Sequence, residues 1–353
     1  MVAFVAMPRC LLSHFAHRTR RGLIALCVLL AAPPAFAQTP APLAAVPRGS
    51  AASPAPVSIW PVDPLTVVDD DFARNRDPAL WQGLSVHSLY FVENGVTWHV
   101  WHIVNLAHPG PLWVVPHDNE NATFGAGLIA VRSWGGSIMA VDTGASDDSY
   151  AARFNEGAGA GIDPNRNFRD ELPLYAGAIL GDLTATPQLV IALHTNAPGF
   201  DASQSICSAA PDSGSGDISI RLCSDRYAPS PSRSHVWPFD DEDSLAIMPW
   251  LASLSPASAF CGRMLTRKDF NLVFERVAIS DGSLSNFAAF HGLRYINLET
   301  RDRGSSPAGI GQASARLVQM IDSVMENCGD IAPLAIHPAP PRPAPNARKR
   351  RLH

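Results

Sequence analysis

Apolar runs of strand length alternate with segments of helical spacing through the middle of the chain. The Glu93-Asn94-Gly95 segment between two such runs predicts a hairpin turn. Strands are predicted at Leu89–Val92, Thr97–Val104, Leu112–Val115, Ser137–Val141, Leu189–Leu193 and Tyr295–Leu298. Helices are predicted at Ala122–Ser133 and Ser314–Glu326. This alternation predicts an α/β fold with a mixed, partly parallel twisted sheet that is flanked by helices.

The two ends of the chain differ from the middle in composition. A basic stretch at 17–21, an apolar run at 22–30 and the segment Ala35-Phe36-Ala37 predict a signal peptide over 1–37. We therefore expect export to the periplasm or the extracellular space, with an uncleaved anchor as the alternative. A Pro/Ala-rich linker is expected at 38–57 and a disordered, Pro-rich basic tail at 333–353. The region between them, 58–332, is predicted to be a single folded domain.

Composition and charge narrow the possible partners. Hydrophobic residues make up 46% of the chain and charged residues 17%, which excludes global disorder. The net charge of −5 gives no reason to expect nucleic acid as a partner. No stable membrane span is expected once the signal is removed.

Export also changes what the cysteines are expected to do. The cysteines beyond the signal are even in number, which favours two disulfides in an oxidising compartment, and they are Cys207, Cys223, Cys261 and Cys328. Three pairings are possible, and we favour Cys207–Cys223 with Cys261–Cys328. No CxxC pair is present, so a structural zinc site is not indicated.

Polar side chains with metal-binding or acid–base chemistry follow three of the predicted strands. His117, His194 and Glu299 stand at or just beyond strand ends, and the carboxyl ends of parallel strands meet at one edge of a sheet. Together with Glu120, the two histidines could form a His₂Glu set that leaves one coordination position open for water. One alternative is that Asp118 is a ligand instead. The other is that His117 is a surface histidine and that Glu120 merely stands at a helix N-terminus, where a negative charge is favoured.

Two further segments hold candidate substrate-binding and acid–base groups. Asn165 and Arg166, in Asp-Pro-Asn-Arg-Asn-Phe, offer an amide and a planar guanidinium that suit a substrate carboxylate. The alternative is a structural turn with Arg166 in an ion pair. Glu299 lies on a mostly apolar strand, where its carboxylate is expected to be desolvated, as a general base or acid that works near neutral pH requires. Its alternative is an ion pair with a nearby arginine, which would be Arg294, Arg301 or Arg303.

Other conspicuous residues have a structural interpretation. His99 and His102 flank Trp101 on one predicted strand, so they face opposite sides and cannot share one metal ion. The tryptophans are predicted to belong to the core, namely Trp98, Trp101, Trp113 and Trp134.

The order of these motifs resembles the zinc carboxypeptidase superfamily over about 112–302. The His-Asp-Asn-Glu segment is similar to the His-Gly-Asn-Glu of its compact branch, which includes succinylglutamate desuccinylase, aspartoacylase and bacterial relatives that trim cell-wall peptides. Asp-Pro-Asn-Arg-Asn-Phe is similar to the Asp-Leu-Asn-Arg-Asn-Phe of carboxypeptidases. The ordered set of motifs is more specific than any one of them.

The resemblance implies a role for each matching residue. It implies a zinc ion, Zn²⁺, whose ligands are His117, Glu120 and His194. Asn165 and Arg166 would bind the free carboxylate of the substrate, and Glu299 would take a proton from the attacking water and return it to the leaving amine. Arg153 would stabilise the oxyanion, with Arg132 as the competing assignment.

The implied protein is an exported zinc-dependent hydrolase with one catalytic domain at 58–332. Its substrate would be a short peptide, possibly from the cell wall, or an N-acyl amino acid, cleaved at an amide bond next to a free carboxylate. The alternative is a catalytically silent, carboxypeptidase-like module that binds wall fragments or a protein partner. The interval from Glu120 to His194 is shorter than in digestive carboxypeptidases, and Tyr227 is only a candidate for the tyrosine that closes over substrate in those enzymes.

Overall fold

The computed structural model describes residues 57–144, 150–155, 161–181, 189–196, 222–223, 244–249, 256–268, 270–275 and 280–328. The predicted signal peptide, the tail and nearly all of the linker lie outside the described residues, as do Cys207 and Tyr227.

A single mixed sheet forms the centre of the described fold. Its strands are β1 Ser58–Pro61, β2 Leu84–Glu93, β3 Val96–Asn105, β4 Leu112–Val115, β5 Ser137–Asp142, β6 Val190–Asn196, β7 Leu222–Cys223, β8 Leu245–Pro249, β9 Asn271–Glu275 and β10 Tyr295–Arg301. Their order across the sheet is β1-β2-β3-β5-β4-β6-β10-β8-β9-β7. The neighbours β5, β4, β6 and β10 run parallel, whereas β1, β2, β3 and β5 pair antiparallel. The predicted α/β class with a mixed, partly parallel sheet is therefore confirmed.

Helices cover both faces of the sheet. They are α1 Asp70–Arg74, α2 Pro78–Trp81, α3 Asn121–Trp134, α4 Pro173–Leu180, α5 Pro256–Arg267, α6 Leu284–His291 and α7 Pro307–Asn327. Short 3₁₀ turns occur at Tyr150–Arg153 and Pro164–Arg166. Helix α3 packs against α7 on one face, which we call the α3 face. Helices α4 and α6 pack on the other, which we call the α4 face.

The central strands alternate between the two faces, and each face has its own hydrophobic cluster. On β6, Ile191 and Leu193 belong to the cluster of the α3 face, whereas Val190 and Ala192 belong to that of the α4 face. The four tryptophans predicted to lie in the core are at most 7% exposed. This alternation fixes the face on which each later residue of the strand lies.

The predicted elements are present, and several extend further than the apolar pattern indicated. The hairpin turn has Asn94 at φ 50° and Gly95 at φ 78°, the left-handed pair of a type I′ turn. Strand β6 continues past His194 to Asn196, and β10 continues past Glu299 to Arg301. Ladder pairing between these two strands keeps their polar ends extended.

A disulfide joins the middle of α5 to the residue that follows the end of α7. It links Cys261 to Cys328, one of the two pairs favoured from the sequence, across a sequence separation of 67. Both cysteines are buried beside the core of the α3 face. Cys223 lies on β7, and its predicted partner Cys207 is outside the described residues. Among the described helices, none combines the length and apolar character needed to cross a bilayer.

Candidate metal centre

The turn between β4 and α3 supplies two of the predicted metal ligands. Glu120 occupies the N-cap position of α3, but its side chain does not cap the helix. Instead its Oε1 lies 2.7 Å from Nδ1 of His117. The turn is held by the backbone amide of Glu120, which donates to the carbonyl of His117 at 3.3 Å, and both side chains are buried. Glu120 thus stands at the start of α3, but its carboxylate contacts the imidazole of His117 and not the backbone of the helix.

His194 joins this pair from the neighbouring strand β6. Its Nδ1 lies 3.2 Å from Oε2 of Glu120, and its ring centroid is 5.0 Å from that of His117. The backbone amide of Thr195 donates to the same Oε2 at 2.7 Å. The three candidate ligand atoms all lie within 4.8 Å of one another. The structure therefore brings together three side chains that the sequence places up to 77 positions apart.

This donor set fits a zinc ion. Zinc takes imidazole nitrogen and carboxylate oxygen, and two ligands of a tetrahedral site lie about 3.4 Å apart when each is about 2.1 Å from the ion. The observed spacing is compatible with that geometry. Nε2 of His194 is buried and has no hydrogen-bond partner among the described residues, so the described contact of this ring is through Nδ1.

Asp163 orients the imidazole of His117, a contact that the sequence argument did not anticipate. Its Oδ1 lies 2.8 Å from Nε2 of His117. A carboxylate on the far nitrogen of a ligating histidine fixes the ring and leaves the other nitrogen available for a metal. The available signal in the sequence is its place at the start of the Asp-Pro-Asn-Arg motif, two residues before Asn165. Asp163 also begins this turn, because its Oδ1 accepts from the backbone amide of Asn165 at 2.8 Å.

Arg153 lies beside these carboxylates. Its Nη1 donates to Oε1 of Glu120 at 3.1 Å, and its Nε is 3.4 Å from Oδ2 of Asp163. Its side chain is 25% exposed, so part of it remains open to solvent. A cation in this position can stabilise negative charge that develops next to the ligand set. Of the two arginines considered from the sequence, Arg153 contacts the site, whereas Arg132 stands in the last turn of α3.

Charges in the cluster favour an ionised Glu120. Burial would raise the pKa of Glu120, but the charges and hydrogen bonds of His117 and His194 outweigh it and hold the pKa well below its usual value. Burial would also raise the pKa of Asp163, but the hydrogen bond and the charge of His117 outweigh this effect and lower the pKa. Glu120 is thus a carboxylate at ordinary pH, which is the form that ligates a cation.

Asp118 has a different role from that of its neighbours. Its Oδ2 accepts from both the amide and the hydroxyl of Thr143, at 2.9 and 2.8 Å. These bonds tie the His117 turn to the end of β5. Asp118 therefore supports the turn, and the alternative that it is a ligand is not favoured.

The Asn165–Arg166 turn packs against the start of α6. Oδ1 of Asn165 accepts from the backbone amide of Leu284 at 3.0 Å. Arg166 is exposed, and its Nε lies 3.5 Å from Asp281 Oδ2, so the ion pair considered as an alternative is present, together with the structural turn. Gly282 has φ +85°, and a side chain there would meet the carbonyl oxygen of Arg166. Only glycine allows the two loops to approach this closely.

Glu299 lies beside His194 in the sheet. Strands β6 and β10 are parallel, and their register pairs Glu299 with His194 directly. Oε1 of Glu299 accepts from Nδ2 of Asn297 at 2.7 Å. Among the described residues, no arginine forms an ion pair with Glu299. Asn297 is a second contact missed from the sequence, because on an apolar strand it had no distinguishing pattern.

Among the histidines that the structure describes, His99 and His102 make contacts away from this cluster. Nδ1 of His99 lies 2.7 Å from Asp142, and its Nε2 lies 2.9 Å from the hydroxyl of Ser88. This order of atoms is that of a serine-hydrolase triad, but Ser88 is buried in the middle of β2 rather than exposed on a strand-to-helix turn. His102 lies on the opposite face, as predicted, with its ring 5.9 Å from that of His87.

Comparison with known proteins gives distant structural relatives. No family model matches the sequence, and no curated protein matches it. The chain is similar to the ectoine utilization protein EutE (DoeB) from Ruegeria pomeroyi at 13% identity and a TM-score of 0.36, covering 74% of this chain and 70% of that one.

Two further structures have the name of the group that the motifs resemble. Succinylglutamate desuccinylase from Chromobacterium violaceum is 14% identical with a TM-score of 0.36, covering 73% of this chain and 72% of that one. A succinylglutamate desuccinylase from Silicibacter sp. TM1040 is 11% identical with a TM-score of 0.39, covering 77% and 70%. Because these likenesses are distant, the functional conclusion depends on the geometry of the site.

Proposed function

We propose that this protein is an exported zinc-dependent hydrolase that cleaves an amide bond adjacent to a free carboxylate. Its substrate is a short peptide or an N-acyl amino acid. The observation that supports this most directly is the buried cluster of His117, Glu120 and His194, with ligand atoms within 4.8 Å of one another. Asp163 also accepts a hydrogen bond from Nε2 of His117, and ligating histidines of catalytic zinc sites are commonly held by a carboxylate in this way.

The residues around the cluster supply the remaining functions. A zinc ion held there would polarise the substrate carbonyl and lower the pKa of water. Glu299, in register with His194, accepts the proton of the attacking water and returns it to the leaving amine. Arg153 offers positive charge to the oxyanion. Asn165 and Arg166 bind the carboxylate of the substrate.

Export and the cell-wall substrate rest on the first 37 residues. Their basic stretch, apolar run and small-x-small site have the pattern of a secretory signal. An exported hydrolase of this class meets peptides more readily than metabolic intermediates, and in a bacterial envelope those include wall-derived peptides. This part of the proposal is tested by the mature N-terminus and by fractionation of the host cell.

Metal content and activity of matched variants test the chemistry. We expect about one zinc per chain, lost in His117→Ala and His194→Ala and kept in His291→Ala, a surface histidine that pairs with Asp170. Glu299→Gln should keep the zinc and lose hydrolysis by roughly 100-fold or more. Hydrolysis is measured on a panel of short peptides and of acetylated and succinylated amino acids.

Two outcomes would contradict the proposal. Full activity in Glu299→Gln would show that the assigned proton acceptor is wrong. Zinc binding without hydrolysis of any member of the panel by the wild-type protein would favour the binding module instead.

A further inference from the structure

Two histidines face each other across the antiparallel strands β2 and β3. The register of these strands pairs His87 directly with His102, and the ring centroids of the two side chains are 5.9 Å apart. With a metal–nitrogen bond of about 2.1 Å, as for zinc, two imidazoles on one ion have centroids at most about 6.4 Å apart. The two rings are therefore close enough to share an ion, as are those of His117 and His194 at 5.0 Å.

Neither ring has a strong hydrogen bond to any of the described residues. Nδ1 of His87 has no partner among them, and its Nε2 lies 3.5 Å from the hydroxyl of Ser85, at the long limit of a hydrogen bond. Burial, and secondly the charge of His87, lower the pKa of His102 to about 4, so its imidazole is neutral at ordinary pH. Neutral imidazole is the form that ligates a metal. Both residues are partly exposed, so the pair is not sealed inside the core.

A thioether stands beside this pair on the next strand. Met139 of β5 is the register partner of His102. Leu89, Val100 and Met139 belong to the cluster of the α4 face, and residues two apart on a strand share a face, so both histidines lie on that face as well. Directly opposed side chains have Cβ atoms about 4.5 to 5.5 Å apart, a distance that the long, flexible methionine side chain can span.

This row of side chains is separate from the zinc centre proposed above. Strands β3, β5, β4 and β6 follow one another in the sheet. Three strand spacings of about 4.8 Å, or about 14 Å in all, therefore separate His102 from the strand that holds His194. No single ion spans that distance, so the row cannot be an extension of the first centre.

We propose that His87, His102 and Met139 bind one Cu(I) ion at a second metal site, which is independent of the hydrolytic function. Imidazole suits several late transition metals, but a thioether is a soft ligand that selects Cu(I). Zinc sites in proteins use imidazole, thiolate and carboxylate instead. The sheet holds the three ligand residues on adjacent strands before the ion arrives, so little chain entropy is lost on binding.

Titration of the full chain with Cu(I) tests the pair of histidines. The protein is first saturated with zinc, and Cu(I) is added in ascorbate against a chromophoric chelator. We expect about one Cu(I) per chain. His87→Gln and His102→Gln should each weaken Cu(I) binding by roughly 100-fold or more, because the second imidazole acts as an intramolecular ligand. The control is His291→Gln, which removes a surface histidine bonded to Asp170 and should bind Cu(I) as the wild-type protein does. Wild-type affinity in either variant of the pair overturns the proposal.

Met139→Leu tests the identity of the metal, because it keeps the volume and removes the sulfur. It should weaken Cu(I) binding by roughly 10-fold or more and leave Cu(II) binding to the histidines unchanged. Met320→Leu is the control, since Met320 is also buried but lies in the cluster of the α3 face. Wild-type Cu(I) affinity in Met139→Leu contradicts the choice of Cu(I).

X-ray absorption at the copper edge gives a measurement on the wild-type protein, which depends on no variant. The spectrum should show a sulfur neighbour together with imidazole nitrogens. In Met139→Leu the sulfur neighbour should be absent and the nitrogens should remain. A wild-type spectrum without sulfur overturns the three-ligand assignment, as does a sulfur neighbour that persists in Met139→Leu. Loss of a zinc ion rather than of Cu(I) in His87→Gln would likewise overturn it.

Discussion

Replacing Asp163 by asparagine tests how the metal centre is built. Oδ1 of Asp163 serves both Nε2 of His117 and the amide of Asn165, each at 2.8 Å. Its Oδ2 lies 3.4 Å from Arg153. Asp163→Asn keeps the volume and one acceptor oxygen but removes the negative charge. We therefore expect the turn to persist while the support of the His117 ring weakens.

The size of the effect follows from these contacts. A hydrogen bond to a neutral acceptor is roughly half as strong as one to a carboxylate. Loss of a carboxylate that holds the far nitrogen of a ligating histidine lowers metal affinity by about 10- to 100-fold. Because Arg153 also loses an acceptor, we expect about 30-fold weaker zinc binding, which corresponds to about 2 kcal/mol.

Competition with a chromophoric chelator at fixed pH measures this change. Asp170→Asn is the control, since Asp170 also lies 2.8 Å from a histidine nitrogen, that of His291, but is 75% exposed on the surface. Asp170→Asn should bind zinc as the wild-type protein does. If Asp163→Asn also does so, the assignment of Asp163 as a support of His117 is refuted.

Three further predictions concern proton transfer, acid stability and the disulfide. Asn297→Leu should keep its zinc but lower kcat by roughly 10-fold, because Nδ2 of Asn297 orients Glu299; an unchanged kcat with full zinc content would contradict this. Burial first, and the charge of His87 second, lower the pKa of His102 to about 4. The unfolded chain therefore binds more protons between about pH 6.5 and pH 4, and stability should fall as pH decreases through that range, by about 2 kcal/mol after allowance for partial exposure. In His102→Gln this dependence, measured by urea unfolding at several pH values, should be shallower, and an equal slope would count against the argument. Removing the Cys261–Cys328 disulfide in a double serine variant should cost about 4 kcal/mol, from the entropy of a loop whose ends are 67 residues apart. Calorimetric melting would measure it, and an unchanged Tm would show that the bridge adds no stability.

Periodicity predicted the central strands because they are apolar on both faces. Leu112–Val115 and Ser137–Val141 needed no tertiary information, since a parallel sheet covered by helices buries such runs completely. The ends of β6 and β10 were missed because Thr195, Asn196 and Thr300 are polar and remain extended only through pairing. Helix α4 was also missed, because eight mostly apolar residues have no period that separates a helix from a buried strand.

The candidate site was predictable as a set of residue types and not as a network. Strand ends and the His-x-x-Glu spacing indicated His117, Glu120 and His194, and the structure places them together. The contact of Asp163 with His117 joins segments 46 residues apart, and no local pattern encodes it. Asn297 and Glu299 are two residues apart on one strand and so share a face, but their spacing alone does not show that the two side chains bond.

The bond from the Leu284 amide to Oδ1 of Asn165 has a consequence for selectivity. With one lone pair of its oxygen bonded to the first turn of α6, the Asn165 side chain offers a ligand chiefly its N–H hydrogens. Such a group favours an anion and discriminates against a C-terminal amide, whose NH₂ would find no acceptor there. If Asn165 binds the substrate carboxylate as proposed, the helix that holds Asn165 in place sets the preference for an acid over an amide, and a redesign of that preference would have to begin at α6.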